Sequence, residues 1–587
     1  MIRALPAVRP RWRRDADVVV VGSGAAGIAA ALTAAARGLQ VLMVTKELNG
    51  GATPLAQGGL AAAIGPGDTA AAHAEDTLVA GAGLCEPEVV SALAVAAPGA
   101  IGWLAALGAR LEQRTLRLEG GHSRNRIVHS GDDATGAEVH RALREALLAS
   151  RVEVLDRTVA LDLLLGEAWG WDEARGRWGE ECGADGWGGA AWSRHGDVVG
   201  GLLAATAEPG GALEAGVITA RSVVLAAGGL GQAYATTSNP PGATGDAIAI
   251  AARAGAELRD PEFVQFHPTV LWLAGATGQC PLVTEALRGA GAVLRDLAGR
   301  PLMAGHHPRG DLAPRDVVAA RMHEVIASGP RDSVGHLWLD ATALGRSVLE
   351  EGFPTVTAAC RKHGIDPVAE MIPVAPGAHY SCGGVRAALD GRTSLPGLYA
   401  VGEAASTGVQ GANRLASNSV TEAVIAGRRA GEVIGSELSG GSGRAASVLR
   451  MPAAGGGVCP GARPVLAAAM SRYAGVLRDR EGLERLGRVL EGGRGARVES
   501  GGAVRDRDGG LDLDLPTVEA TNLHAASALI AAGAARRVES RGCHRRRDAT
   551  GTAARAWHTL VRWDGRRLRV TEQDQRADRA DCAFGLL

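Results

Sequence analysis

The residues best placed to do chemistry near the N-terminus are glycines. Gly22-Ser23-Gly24-Ala25-Ala26-Gly27 has the spacing G-x-G-x-x-G, which lets backbone amides close on a pyrophosphate at the positive end of a following helix. The pattern is weak alone. Here it follows a run of valines and opens a stretch of helix formers, which is the context that a dinucleotide site needs. The six residues suit NAD and FAD equally, and Glu47 beyond the next strand is a candidate ribose ligand. The eight cysteines are scattered, with no C-x-x-C pair and no zinc-like spacing. They read as reduced thiols of a cytoplasmic protein, and no metal site is expected.

The elements around the loop read βαβ. Asp17–Val21 predicts a buried parallel strand, Gly27–Arg37 a helix ending at Gly38, and Gln40–Thr45 a second strand. Further on, Glu138–Ala149 reads as a helix, and Val152–Leu155, Val159–Leu165 and Val217–Ala226 read as strands. Residues 166–197 hold five tryptophans among Gly, Glu and Arg and predict a surface insertion. Residues 437–465, rich in Gly, Ser and Pro, predict a linker. Ala467–Leu490 and Glu519–Val538 read as helices, and Asp564-Gly565 between two alternating runs predicts a terminal hairpin.

Length and charge set the outer bounds. A chain of 587 residues predicts three or four folding units. With 62 basic and 63 acidic side chains, no overall field draws it to nucleic acid or an anionic membrane. Lys46 and Lys362 are the only lysines. The basic residues 1–15 predict an unstructured tail, and no segment reads as long and apolar enough to span a bilayer.

A second motif resolves the cofactor. Gly397-Leu398-Tyr399-Ala400-Val401-Gly402-Glu403 resembles the late strand of two-dinucleotide flavoproteins, whose terminal acid binds the ribityl chain. Between and beyond the two fingerprints stand Ala56-Gln57-Gly58-Gly59, Glu119-Gly120-Gly121-His122-Ser123, Phe266-His267-Pro268-Thr269, Thr284-Glu285-Ala286-Leu287-Arg288-Gly289, Ala313-Pro314-Arg315-Asp316, His379-Tyr380-Ser381-Cys382-Gly383-Gly384, Gly411–Ser419 and Glu539-Ser540-Arg541-Gly542. In this order they resemble the L-aspartate oxidases of the fumarate reductase and succinate dehydrogenase flavoprotein superfamily, from about Asp15 to about His544.

The resemblance implies an α/β fold. A Rossmann-like two-dinucleotide FAD-binding domain (1–243 and 376–436) is interrupted by an α+β capping domain (244–375) and followed by a linker and C-terminal helical domain (437–587). It also implies non-covalent FAD, since the respiratory members attach the flavin to a histidine where this chain has Ala52. The FAD ligands carried over are Gly22, Ser23, Gly24, Ala25, Ala26, Gly27, Lys46, Thr53, Gln57, Gly58, Gly59, Asp246, Glu403, Ser417, Asn418 and Ser419.

For substrate, the resemblance points to a dicarboxylate clamp of His267, Thr284, His379 and Arg414. The same resemblance implies Arg315 as the proton donor to the substrate carbon, with Glu285 as the partner of Arg315 or of Arg414. The guanidinium fork suits a carboxylate in a way that Lys does not. Glu119 is the anion expected beside a substrate ammonium, where the respiratory members carry an uncharged residue. The implied reaction is oxidation of L-aspartate to iminoaspartate, with O2 or fumarate as acceptor, feeding quinolinate synthase and NAD synthesis. A soluble fumarate reductase is the alternative. An electron-transfer subunit would need iron–sulfur cysteines that this chain does not supply. Two departures from the family pattern are Ala52-Thr53-Pro54 and Pro98, which is expected to interrupt a helix.

Overall fold

Val18, Val19, Val20 and Val21 have no polar atom beyond the backbone, and a strand buried on both faces satisfies that backbone most completely. The strand Trp12–Val21 accordingly lies inside an eight-stranded sheet, parallel to Val41–Val44 on one side and to Leu213–Leu225 on the other. The computed structural model describes residues 2–131, 133–168, 197–208, 212–329, 335–439, 446–492 and 513–575. The tryptophan-rich stretch expected to form an insertion lies almost wholly outside the described residues.

The strand Leu213–Leu225 joins distant parts of the chain. Its first half pairs antiparallel with Asp197–Ala207, and its last residues pair parallel with Leu398–Ala400. Val21 and Ala400 are both in register with Leu225. Because the three strands run the same way, the glycine loop after Val21 and the Gly402-Glu403 turn emerge at one edge. The long helix Asn418–Ser439 packs on the helix Ala25–Ala36, with Gly427 and Gly431 allowing close approach: a Cβ on Gly427 would stand 2.3 Å from the Ala26 carbonyl oxygen.

A second, six-stranded sheet forms the cap. Val264–Leu271 pairs antiparallel with Ile372–Ser381, with shifts of register on both sides of His267. Pro268, which cannot donate to a ladder, sits in the second irregularity. Thr236–Thr237 already belongs to this sheet, and the strand Ile372–Ser381 stays in it past residue 375.

After the cap come the helices Arg463–Tyr473, Arg480–Leu490 and Leu515–Arg536, then the hairpin Trp557–Trp563 and Leu568–Asp574. The single helix expected over 467–490 is two, because the Asp479 side chain accepts from the Gly482 amide at 2.7 Å and starts a new helix. The linker expectation also yields in part: Ala446–Arg450 pairs with Thr158–Ala168 as an edge strand.

The N-terminal tail is not unstructured. Ile2 and Leu5 are buried, Gly455 and Gly457 donate to the carbonyls of Leu5 and Ala4, and the first strand begins at Trp12. Pro98 does not break its helix, which runs from Pro87 to Ala106. Seven buried side chains on one face, among them Leu93, Ile101 and Leu104, outweigh the roughly 3 kcal/mol cost of an internal proline. This helix is also long and apolar enough by composition to cross a bilayer, contrary to the sequence expectation, and its buried face belongs to the largest core.

Candidate active site

One cavity runs from the glycine loop to the cap. It is lined by Gly22–Ala26, Thr45–Glu47, Gln57–Gly59, Ala226–Gly229 and Glu403, then by Glu119, His267, Thr284, Glu285, Arg315, His379, Arg414, Ser417 and Ser419. The two fingerprints and the two histidine motifs therefore share a single space.

At the sheet end the backbone is open. Gly22 has φ +108°, and a Cβ there would stand 2.4 Å from the Ala226 carbonyl oxygen. Ser23 Oγ bonds Thr45 Oγ1 at 2.8 Å, and Thr53 Oγ1 accepts from the Ala25 amide at 3.0 Å, so the hydroxyl of Thr53 caps the helix start. Gln57 Oε1 is buried with no partner. Lys46 is held by Asp246 at 2.9 Å and Glu519 at 2.8 Å. Although burial would raise the Asp246 carboxyl, the Lys46 ammonium holds it low. Burial pushes Glu403 up to about 7, against the Ser381 amide that donates to it at 2.9 Å.

At the cap end the groups are basic. The Thr269 amide donates to His267 Nδ1 at 3.2 Å, which places the proton on Nε2, and Nε2 is buried without a partner. His379 Nδ1 bonds Ser238 Oγ at 2.7 Å. Both imidazoles are held well below the usual histidine range, by burial first and then by Arg315 and Arg414. They are neutral donors.

Arg315, first residue of the helix Arg315–Ser328, gives its Nε to Glu285 Oε2 at 2.5 Å and its Nη1 to Gln265 Oε1 at 3.3 Å. Arg288 Nη2 reaches the other oxygen of Glu285 at 3.1 Å. Burial alone would raise Glu285, but the two guanidinium groups hold it at about 2. Glu285 thus pairs with Arg315 and Arg288, not with Arg414.

Arg414 stands apart. Its Nη1 donates to Ser419 Oγ at 2.9 Å, its guanidinium lies 4.6 Å from the Tyr380 ring centroid, and its Nε has no partner. No ion pair to it is found among the described residues. Burial, aided by Arg315, lowers it to about 10. Across the cavity, Glu119 Oε2 accepts from Ser417 Oγ at 2.5 Å, while Ser417 Oγ accepts from the Gly59 amide. Ser417 holds the left-handed backbone at φ 59°, a strained conformation for serine. Burial raises the Glu119 carboxyl, with Arg315 opposing and Glu285 adding to the rise.

A family model of the FAD binding domain matches residues 17–420, and one of the fumarate reductase flavoprotein C-terminus matches residues 463–580. The L-aspartate oxidase of Streptomyces coelicolor is 43% identical over 95% of this chain and 93% of its own length. The chain belongs to the L-aspartate oxidase family. The L-aspartate oxidase of Caulobacter vibrioides is 41% identical over 93% of this chain and 96% of its own. Among solved structures, FrdA of the Escherichia coli quinol fumarate reductase has a TM-score of 0.80 at 28% identity, covering 96% of this chain and 97% of that one.

FAD is the cofactor of this L-aspartate oxidase family member, and the residues present fit it. Gly22, Ser23 and Gly24 line the cavity at the helix start, where a pyrophosphate would lie, Gln57 Oε1 is without a donor, and Glu403 has one oxygen free of the Ser381 amide. Two of the expected ligands lie off the cavity: Gly27, which packs against the Gly22 carbonyl, and Asn418. The Asn418 side chain bonds His73 at 2.8 Å and Thr77 at 3.0 Å and does not line the cavity. Sequence reasoning missed Arg288, Ser238 and Gln265 as site residues. Arg288 was legible three residues after Glu285, the spacing that puts two side chains on one helical face.

Proposed function

We propose that this chain oxidises L-aspartate to iminoaspartate. The observation that carries the reading is Arg414, a buried guanidinium without an acidic partner, facing a cavity that also holds the unpartnered His267 Nε2. A buried cation is costly unless an anion joins it, so the cavity is incomplete without a carboxylate ligand. When bound, FAD supplies the two-electron acceptor for the hydride leaving the substrate Cα.

The chain's own residues then have distinct tasks. Arg414 takes one carboxylate through its planar fork, and neutral His267, His379 and Thr284 donate to the dicarboxylate. Glu119 accepts the substrate ammonium, for which a dicarboxylate without nitrogen has no use. Arg315, locked by Glu285, faces the reacting carbon and handles the proton when fumarate is reduced. Ala52, lacking a nucleophile, leaves the cofactor free of a covalent link. The acceptors are O2 and fumarate, and iminoaspartate passes to quinolinate synthase in NAD synthesis.

The test is direct. The purified yellow protein is mixed anaerobically with L-aspartate or with succinate, and the visible flavin band is followed. Aspartate is expected to bleach it and succinate to leave it unchanged. Bleaching by succinate alone would assign the chain to the respiratory chemistry instead.

A further inference from the structure

Glu422 is buried, carries no role in the clamp above, and is hydrogen-bonded by two side chains. It sits at the start of the second turn of the helix Asn418–Ser439, eight residues after Arg414, and is 2% exposed. Thr407 Oγ1 donates to its Oε1, and Gln410 Nε2 donates to its Oε2 at 2.6 Å. Thr407 and Gln410 lie on the loop that leads from Glu403 to Arg414. Tyr380 comes from the cap strand Ile372–Ser381 and presents its ring face to the Arg414 guanidinium.

A carboxyl group has several acceptor positions, so both donors can converge on it without conflict. Both tie down the loop that carries Arg414, while Tyr380 supplies the ring on which the guanidinium lies. Glu422 makes no direct bond to Arg414, whose Nη1 goes to Ser419. The Nε of the guanidinium stays without a partner.

We propose that Glu422 is a positioning residue for the substrate carboxylate, fixing the Arg414 guanidinium by holding, through Thr407 and Gln410, the loop that carries it. This rests on the reading of Arg414 as the carboxylate ligand. A guanidinium left to rotate off the ring would still be charged but would meet the carboxylate with one N–H in place of two. The loss should fall on binding more than on the chemical step.

The test uses the FAD-loaded protein and malonate, a dicarboxylate with no neighbouring C–H pair to lose, titrated by its effect on the flavin absorbance. Glu422→Gln keeps the shape but offers one acceptor oxygen and an NH2 that opposes a donor. It is expected to weaken malonate binding at least tenfold and raise the aspartate KM by a similar factor, with kcat changed less than threefold and FAD content unchanged. Thr407→Val keeps the shape and loses one of the two donors, so a smaller loss is expected, and the double variant should be no weaker than Glu422→Gln alone. Wild-type malonate affinity in FAD-loaded Glu422→Gln, or losses that multiply in the double variant, would overturn the proposal. If Glu422→Gln does not fold, Thr407→Val decides alone, and an unchanged affinity there refutes it. A wild-type protein that neither binds malonate nor oxidises aspartate would instead remove the functional reading beneath it.

Discussion

His267 and His379 meet edge to face, ring centroids 5.0 Å apart, from two antiparallel strands of the cap. The contact excludes a positive charge on either ring, since burial and two nearby arginines already keep both neutral. What His267 offers a ligand is therefore an N–H and not a cation. His267→Asn keeps an N–H donor and is expected to retain aspartate kcat/KM within about tenfold. His267→Leu removes the donor and should lose on the order of a hundredfold or more. Equal losses in the two variants would mean that the imidazole acts in its charged form.

Arg315→Leu is expected to lower turnover of both aspartate and fumarate by two or three orders of magnitude, the usual scale for a lost transition-state contact. The FAD content should stay near wild type, because Arg315 is anchored by Glu285 and Gln265 and not by the glycine loop. Near-normal fumarate reduction by this variant would show that the proton comes from elsewhere.

In the proposed function, the choice between amino and plain dicarboxylates falls to Glu119. Glu119→Gln keeps an oxygen for the Ser417 hydroxyl, so the strained Ser417 backbone is still held. Only the charge is lost. The ratio of kcat/KM for aspartate oxidation to that for fumarate reduction is expected to fall at least tenfold, about 1.4 kcal/mol. A parallel loss on both substrates would make Glu119 a support for the loop and nothing more.

The flavin-free protein should reveal Glu403 through pH. Burial raises its folded value to about 7, above the ordinary carboxyl value of about 4.5 in the unfolded chain. The folded protein thus holds this proton more tightly. The stability it contributes is complete below pH 4.5 and drains away as pH rises through 7. Glu403→Gln cannot ionise, so between pH 5.5 and 8.5 its melting temperature should fall less than that of the wild type. The wild type should lose on the order of 2 kcal/mol more stability than the variant over that range, and coincident melting curves would show that Glu403 ionises freely in the fold.

The glycine loop was legible because backbone geometry at Gly22 follows from local spacing, and the sheet around it because Val18–Val21 admits no other environment. His267, His379 and Arg414 could be named through their motifs, but not why they work together. The tautomer of His267 depends on a register shift that leaves the Thr269 amide free, and the freedom of Arg414 depends on Arg288 having claimed Glu285. Pro98 misled because intrinsic propensity says nothing of the core that the helix covers. Asn418 misled because a motif does not state which way each side chain turns.

The strand Leu213–Leu225 also sets a schedule for synthesis. Its C-terminal residues receive Leu398–Ala400 only after the ribosome has added more than 170 further residues, including the whole of the cap. Until then the strand carries an open apolar edge, and half of the flavin cradle is missing. The nascent chain cannot gain stability from its cofactor at that stage, and its protection against edge-to-edge association must come from chaperones or from speed.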